Sequence, residues 1–392
     1  MLRHEAIQGE KVWKPILGAF IFLGLLLRTV RYLACYPLWS DEAFVAANFI
    51  RRGYLELLKP LDYGQICPIL FLWPVRAIVG LFGFSEGSLR LFPLLCGFLS
   101  LGLFVKLSSK LLSGLPLVFA VSIFAVSAGP IRYSSEVKPY ASDLLAALLL
   151  LNPALGWLQD RSRTASLWWL AALTPLALTL SHPAIFVAAG ISLGMALSIW
   201  KAHDRRVLVP FVIFNAAIVV LFPALYFLVM LPQNSVLPYW REGYWENGFP
   251  PVRQPLLLIR WLIEAHTSKM LAYPGGGPRG ASILTSLLLL AGSISLWKGG
   301  KRPALIVLLA AFGFTLIAAT LRKYPYGNES RHMQYVAPAI CLLAGLGLDV
   351  MIRALFKPSY RRRISALVLA VMFAGGLTYF GKIRDAALHQ FL

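Results

Sequence analysis

Apolar runs of 16 to 23 residues, each closed by a cationic or turn-forming stop, recur from residue 15 to residue 381. A helix needs roughly 20 apolar residues to cross the hydrocarbon of a bilayer. The pattern therefore predicts eleven spans, over 15–33, 88–105, 115–131, 141–158, 166–181, 183–200, 208–230, 281–297, 303–321, 333–352 and 364–381. The stretch 67–84 is apolar too, yet a span there would invert every later loop. Its Pro68, Pro74 and Arg76 predict a helix lying in the outer interface instead. The fold expected is an all-α polytopic membrane protein, one domain over 1–392.

Composition agrees. The chain is 58% hydrophobic and only 14% charged, with a mean hydropathy of +0.69. An ordinary soluble domain is about a quarter charged, and that class is excluded. A net charge of +20 raises nucleic acid as a partner, but the cations punctuate apolar segments and form no basic patch with interleaved aromatics. Nucleic acid is not an expected partner; membrane lipid is.

Eighteen of the 37 Lys and Arg, with five of the 17 acids, fall in the N-terminal tail and in short loops around 106–110, 161–163, 201–206, 298–302 and 353–363. Cation-rich short loops face the cytoplasm. The N-terminus is expected inside, in the cytoplasm, and the C-terminus outside. No small-residue cleavage site follows the first apolar run, which is expected to stay as an anchor. Cys35, Cys67, Cys96 and Cys341 lack metal-ligand spacing; Cys35 and Cys67 fall on the outer side and are expected unpaired. No repeat of broken helices is evident, which disfavours a transporter.

The larger outer segments are 34–87, 132–140 and 231–280, with a shorter one at 322–332. In the third, 256–270 predicts a helix. Its Pro274 to Pro278 run reads as a connector, because no Lys-Ser/Thr follows as in a phosphate loop.

Chemistry concentrates in three of these segments. Leu38-Trp39-Ser40-Asp41-Glu42 sets two adjacent carboxylates at the start of a short helix. Ser40 or Asp41 as a simple N-cap is the alternative. Tyr133-Ser134-Ser135-Glu136-Val137-Lys138-Pro139-Tyr140 follows, where Glu136 and Lys138 either pair with each other or serve a site. Asp143, one turn into the following helix, reads as a helix-dipole or polar packing residue rather than a catalyst. Near 331, Asn328-Glu329-Ser330-Arg331-His332 combines a glycosylation-type triplet with Arg331, either an interfacial snorkelling cation or an anion ligand. Carboxylates and cations at helix ends suit a lipid-anchored substrate reacting at the water interface, whereas a transporter places such groups mid-span.

In this order the motifs resemble the polytopic GT-C glycosyltransferases, the class that includes protein O-mannosyltransferases and lipid A aminoarabinose transferases. Trp39-Ser40-Asp41-Glu42-Ala43 looks like their first-loop motif. Leu61-Asp62-Tyr63-Gly64-Gln65 with Pro68 resembles their juxtamembrane segment, residues 83–91 the start of their second span, and 133–140 their second acidic motif. The likeness is specific over 15–150; beyond, it rests on Ser181-His182-Pro183 and on Arg331 ahead of Pro338.

The resemblance implies an inverting transfer of a sugar from a polyprenyl-phosphate donor to a glycan, lipid or protein acceptor, on the outer face of the membrane. It makes Asp41 the base, with Glu42 and Glu136 as further catalytic residues, and a divalent metal ion an optional helper. Lys138, Tyr140, Arg331, His332, Tyr63 and Gln65 become substrate-binding residues, Arg331 and Lys138 for the leaving phosphate. A polysaccharide polymerase or ligase, and a transporter of lipid-linked substrate, are the alternatives.

Overall fold

The computed structural model describes residues 2–199, 204–233, 243, 245–277, 282–327 and 329–388. These are overwhelmingly helical, and none of the described residues is in a strand. In chain order the helices are α1 (Leu2–Leu33), α2 (Ser40–Ala46), α3 (Asn48–Arg51), α4 (Ile69–Phe82), α5 (Glu86–Leu111), α6 (Gly114–Ala125), α7 (Ala128–Tyr133) and α8 (Tyr140–Gln159). Then come α9 (Ala165–Leu180), α10 (Ala184–Ile199), α11 (Arg205–Leu225, drawn on to Gln233 through a π turn), α12 (Pro255–Thr267), α13 (Ile283–Lys298), α14 (Arg302–Thr320), α15 (Ala337–Leu355) and α16 (Pro358–Leu388).

Each expected span coincides with a helix, although the edge residues 200 and 281 lie outside the described residues. Among the described residues seven helices are long and apolar enough to cross a membrane: Trp13–Leu33, Glu86–Leu111, Tyr140–Gln159, Arg205–Gln233, Arg302–Thr320, Ser330–Leu355 and Pro358–Ile383. The other four expected spans are shorter apolar helices, α6, α9, α10 and α13. Length and apolarity alone thus carry seven crossings of the eleven. The 12 residues of α6 rise only about 18 Å at 1.5 Å per residue, and the chain breaks after them before resuming as α7.

Helix α15 is the axle of the bundle. Gly292 of α13 and Gly347 of α15 bring the two backbones together: a Cβ on Gly347 would lie 1.8 Å from the Leu288 carbonyl oxygen, and one on Gly292 2.0 Å from that of Leu343. Only glycine fits such a crossing, the usual means of close helix packing where lipid supplies no hydrophobic drive. On its other side α15 meets α6, where a Cβ on Gly345 would collide with Ala120. Within their most apolar windows, α8 and the α15 segment are 78% buried, but α11 and α16 only 17%. The former make the core and the latter present Val219, Val220, Leu367 and Val371 outward.

A second, smaller apolar cluster caps one end of the bundle. Val45, Phe49, Leu57, Leu61 and Cys67 pack there on Phe71, Leu72, Val75 and Val79 of α4, with Leu89 of α5 and Val137. The 14-residue α4 buries that face and exposes Leu81 and Phe82. Its length of about 21 Å falls short of a roughly 30 Å hydrocarbon core. The expected helix at 256–270 is α12 followed by a 3-10 turn, Lys269–Leu271. Part of that outer segment, with Pro278 and Asn328, lies outside the described residues.

Candidate active site

Four chain segments converge where the small cluster meets the bundle. Helix α2 begins at Ser40 with Trp39 in the N-cap position and no side-chain cap, so neither Ser40 nor Asp41 serves as the cap. Successive residues on a helix point about 100° apart, and the two carboxylates separate accordingly.

Glu42 turns inward. It is 2% exposed and takes Arg90 of α5 in a fork, Nε to Oε1 at 3.1 Å and NH2 to Oε2 at 2.9 Å. The Val137 N–H donates to Oε1 as well, at 2.8 Å. Arg90 spends its remaining nitrogen on the Tyr36 carbonyl at 2.5 Å. Glu42 therefore ties α2, α5 and the 134–139 loop together, and its oxygens are already committed. Glu42 is expected as a catalytic residue, and the contacts it makes here are those of a tie between segments. Arg90 escaped notice as a site residue, although a lone cation in the first turns of an apolar helix demands a buried partner.

Asp41 turns to the other side. Lys138 Nζ donates to its Oδ1 at 2.7 Å and Arg331 NH1 to its Oδ2 at 3.2 Å. Lys138 also donates to Gln65 Oε1 at 2.5 Å, and Gln65 Nε2 donates to the Tyr63 carbonyl at 3.2 Å. The Lys138 and Arg331 side chains are each 8% exposed, against 22% for Asp41. Arg331 is thus no snorkelling surface cation; its guanidinium also lies over the Trp39 ring, 5.3 Å from the centroid. Lys138 does not pair with Glu136 either. The structure brings Asp41, Lys138, Arg331 and Gln65 into one cluster from four segments that lie far apart in sequence.

Glu136 accepts from Arg132 Nε at 2.6 Å, one helical turn back. Its Oε2 is buried without a hydrogen-bond partner. Burial raises the Glu136 carboxyl above the usual glutamate range, and Arg132 offsets part of that rise. Tyr140 and His332 belong to an aromatic wall: Tyr140 packs edge-on to Tyr133 at 5.2 Å and to His332 at 6.4 Å, and His332 meets Trp245 and Tyr324. Tyr63, 62% exposed, stacks at 5.0 Å on Phe44, one turn beyond Asp41. Its φ of 58° is an uncommon choice for a tyrosine.

Among the described residues no three His, Cys, Asp or Glu side chains come together as a metal site. Asp41 faces an ammonium and a guanidinium, surroundings that suit an anion better than a divalent cation. Cys35 is exposed and Cys67 buried, both as free thiols, with burial pushing Cys67 up to about 12.

No protein-family model matches this sequence, and no curated protein matches it. Solved structures do. The chain resembles ArnT from Cupriavidus metallidurans bound to undecaprenyl phosphate, with 14% identity over 94% of this chain and 72% of that one, at a TM-score of 0.51. It resembles the Archaeoglobus fulgidus oligosaccharyltransferase complexed with Zn and sulfate, with 14% identity over 93% of this chain and 52% of that one, at 0.57. It also resembles archaeal AglB from A. fulgidus in complex with an inhibitory peptide and a dolichol-phosphate, at 13% identity and 0.55. This chain therefore spans about half the length of the oligosaccharyltransferase. With its apolar bundle, helical throughout the described residues, the chain shares the fold of these ArnT and oligosaccharyltransferase structures.

Proposed function

We propose that the protein transfers a sugar from a polyprenyl-phosphate donor to an acceptor hydroxyl or amine at the outer face of the cytoplasmic membrane. The observation that carries this reading is Asp41 lying between Lys138 and Arg331, at 2.7 and 3.2 Å, at one end of an apolar bundle. One candidate base and two phosphate-binding cations are what a glycosyl transfer with a phosphate leaving group requires. That ArnT and AglB were solved with lipid phosphates supports the donor class.

In this reaction the acceptor atom attacks the anomeric carbon from the face opposite the phosphate, inverting it. Its proton passes to Asp41, the carbon–oxygen bond to phosphate breaks, and the electron pair leaves on the phosphate oxygen. Lys138 and Arg331 meet the charge that gathers there; Arg offers two parallel donors and Lys a point charge. Gln65 is a positioning residue that aims Lys138. Tyr63 and Phe44 offer an exposed aromatic face to the acceptor beside the base. Glu136 and the Tyr140–His332 wall hold the two outer turns that carry Lys138 and Arg331.

The test is the fate of the sugar–phosphate bond in proteoliposomes loaded with polyprenyl-phosphate sugars from the host membrane. Release of free polyprenyl phosphate with the sugar moved to an acceptor is expected. Sugar lipid that crosses the bilayer intact would make the protein a transporter instead.

A further inference from the structure

A donor phosphate that draws on Lys138 and Arg331 competes with Asp41 for the same two cations. Their side chains are nearly buried, both point their charges at the same carboxylate, and Gln65 takes a further Lys138 proton. We propose that Asp41 is a built-in surrogate for the donor phosphate: the arriving phosphate displaces the carboxylate from both cations, and that exchange releases Asp41 to receive the acceptor's proton. The inference rests on the reading above and assigns that site its regulation. With the donor absent, the base is held by the cations; with the donor bound, it is set free.

Charge counting supports the exchange. In the resting site both cations reach the Asp41 carboxylate. The sugar donor is a phosphodiester with one negative charge. When the sugar leaves, the phosphate becomes a monoester carrying about −1.5 to −2 at neutral pH, while Asp41 has taken up a proton and become neutral. Negative charge thus moves from Asp41 to the phosphate as the bond breaks, and the pull of the two cations on the phosphate grows. Stabilisation that grows along the reaction is what accelerates it. The same pull makes free polyprenyl phosphate a tight-binding product, and the Asp41 carboxylate its competitor and the means of its expulsion once the proton is lost.

A carboxylate that competes with phosphate gives an unusual expectation: removing its charge improves binding. Asp41→Asn, which resembles the protonated state, should bind undecaprenyl phosphate about tenfold more tightly than wild type, about 1.4 kcal/mol, while losing transfer. Unchanged or weaker binding by a folded Asp41→Asn protein overturns the exchange. A second measurement needs no variant. A water-soluble carbodiimide should join Lys138 to Asp41 as an amide in the wild-type protein, seen by peptide mass spectrometry, and saturating undecaprenyl phosphate should suppress the link. Suppression by inorganic phosphate as well supports the exchange and assigns recognition to the phosphate group; suppression by the lipid alone supports it and adds the prenyl chain. A cross-link that persists at saturating lipid overturns it. Wild type that transfers sugar but fails both tests loses the exchange and keeps the transferase reading. Protein that passes both without moving sugar does the reverse.

Discussion

Arg90 grips Glu42 through two parallel hydrogen bonds of 2.9 and 3.1 Å, with both side chains at most 3% exposed. That pair divides the work of the adjacent carboxylates: Glu42 anchors α2, which leaves Asp41 fixed in place to face Lys138 and Arg331. Breaking one side of a buried pair strands a charge and typically costs about 3–5 kcal/mol. Glu42→Ala and Arg90→Ala should each lower the thermal midpoint and the yield of folded protein. Because Glu42 also accepts the Val137 N–H, the double replacement by Leu should recover only part of that loss, as measured by thermal unfolding in detergent.

Glu136 gives a pH signature. Its folded pKa is raised, chiefly by burial, so the folded state binds this proton more readily than the unfolded chain. Its contribution to stability is present at low pH and is lost as pH rises through the window just above the ordinary glutamate range. Glu136→Gln keeps the neutral form throughout. Its midpoint should exceed that of wild type at pH 8, and the gap should close toward pH 4. Transfer by this variant should fall less than in Asp41→Asn.

Arg331→Lys keeps the charge but loses the paired donors that match phosphate. Donor KM should rise in Arg331→Lys and rise further in Arg331→Ala, while acceptor KM changes little. An unchanged donor titration in Arg331→Ala would reduce the residue to a positional role over Trp39.

Orientation can be read from a native thiol. Of the four cysteines only Cys35 is exposed, just past the end of α1. A membrane-impermeant maleimide should label it in intact cells or spheroplasts. Labelling only after the membrane is opened would place the Asp41 cluster on the cytoplasmic side.

The helical bundle was legible because lipid demands long apolar runs, and every expected span finds a helix. The number of crossings was less legible, because α6 at 12 residues and α13 at 16 pack through small residues and need not each match the bilayer. The site was legible as a set of motifs, and the structure gathers Asp41, Lys138, Arg331 and Gln65. What no linear pattern carries is direction. That Glu42 would face Arg90 while Asp41 faces Lys138 follows from the helical rotation between neighbours and from where α5 happens to pass. Arg132, the partner of Glu136, sits one turn upstream at i,i+4 spacing, a pairing that the motif's focus on Lys138 obscured.

The most direct test compares purified wild type and Asp41→Asn for release of polyprenyl phosphate from a polyprenyl-phosphate sugar, under saturating donor and acceptor. Loss of a general base commonly costs about 100- to 10,000-fold. The account predicts a fall of that size in turnover, with the variant folded and still binding lipid phosphate; near-normal turnover by Asp41→Asn would contradict it.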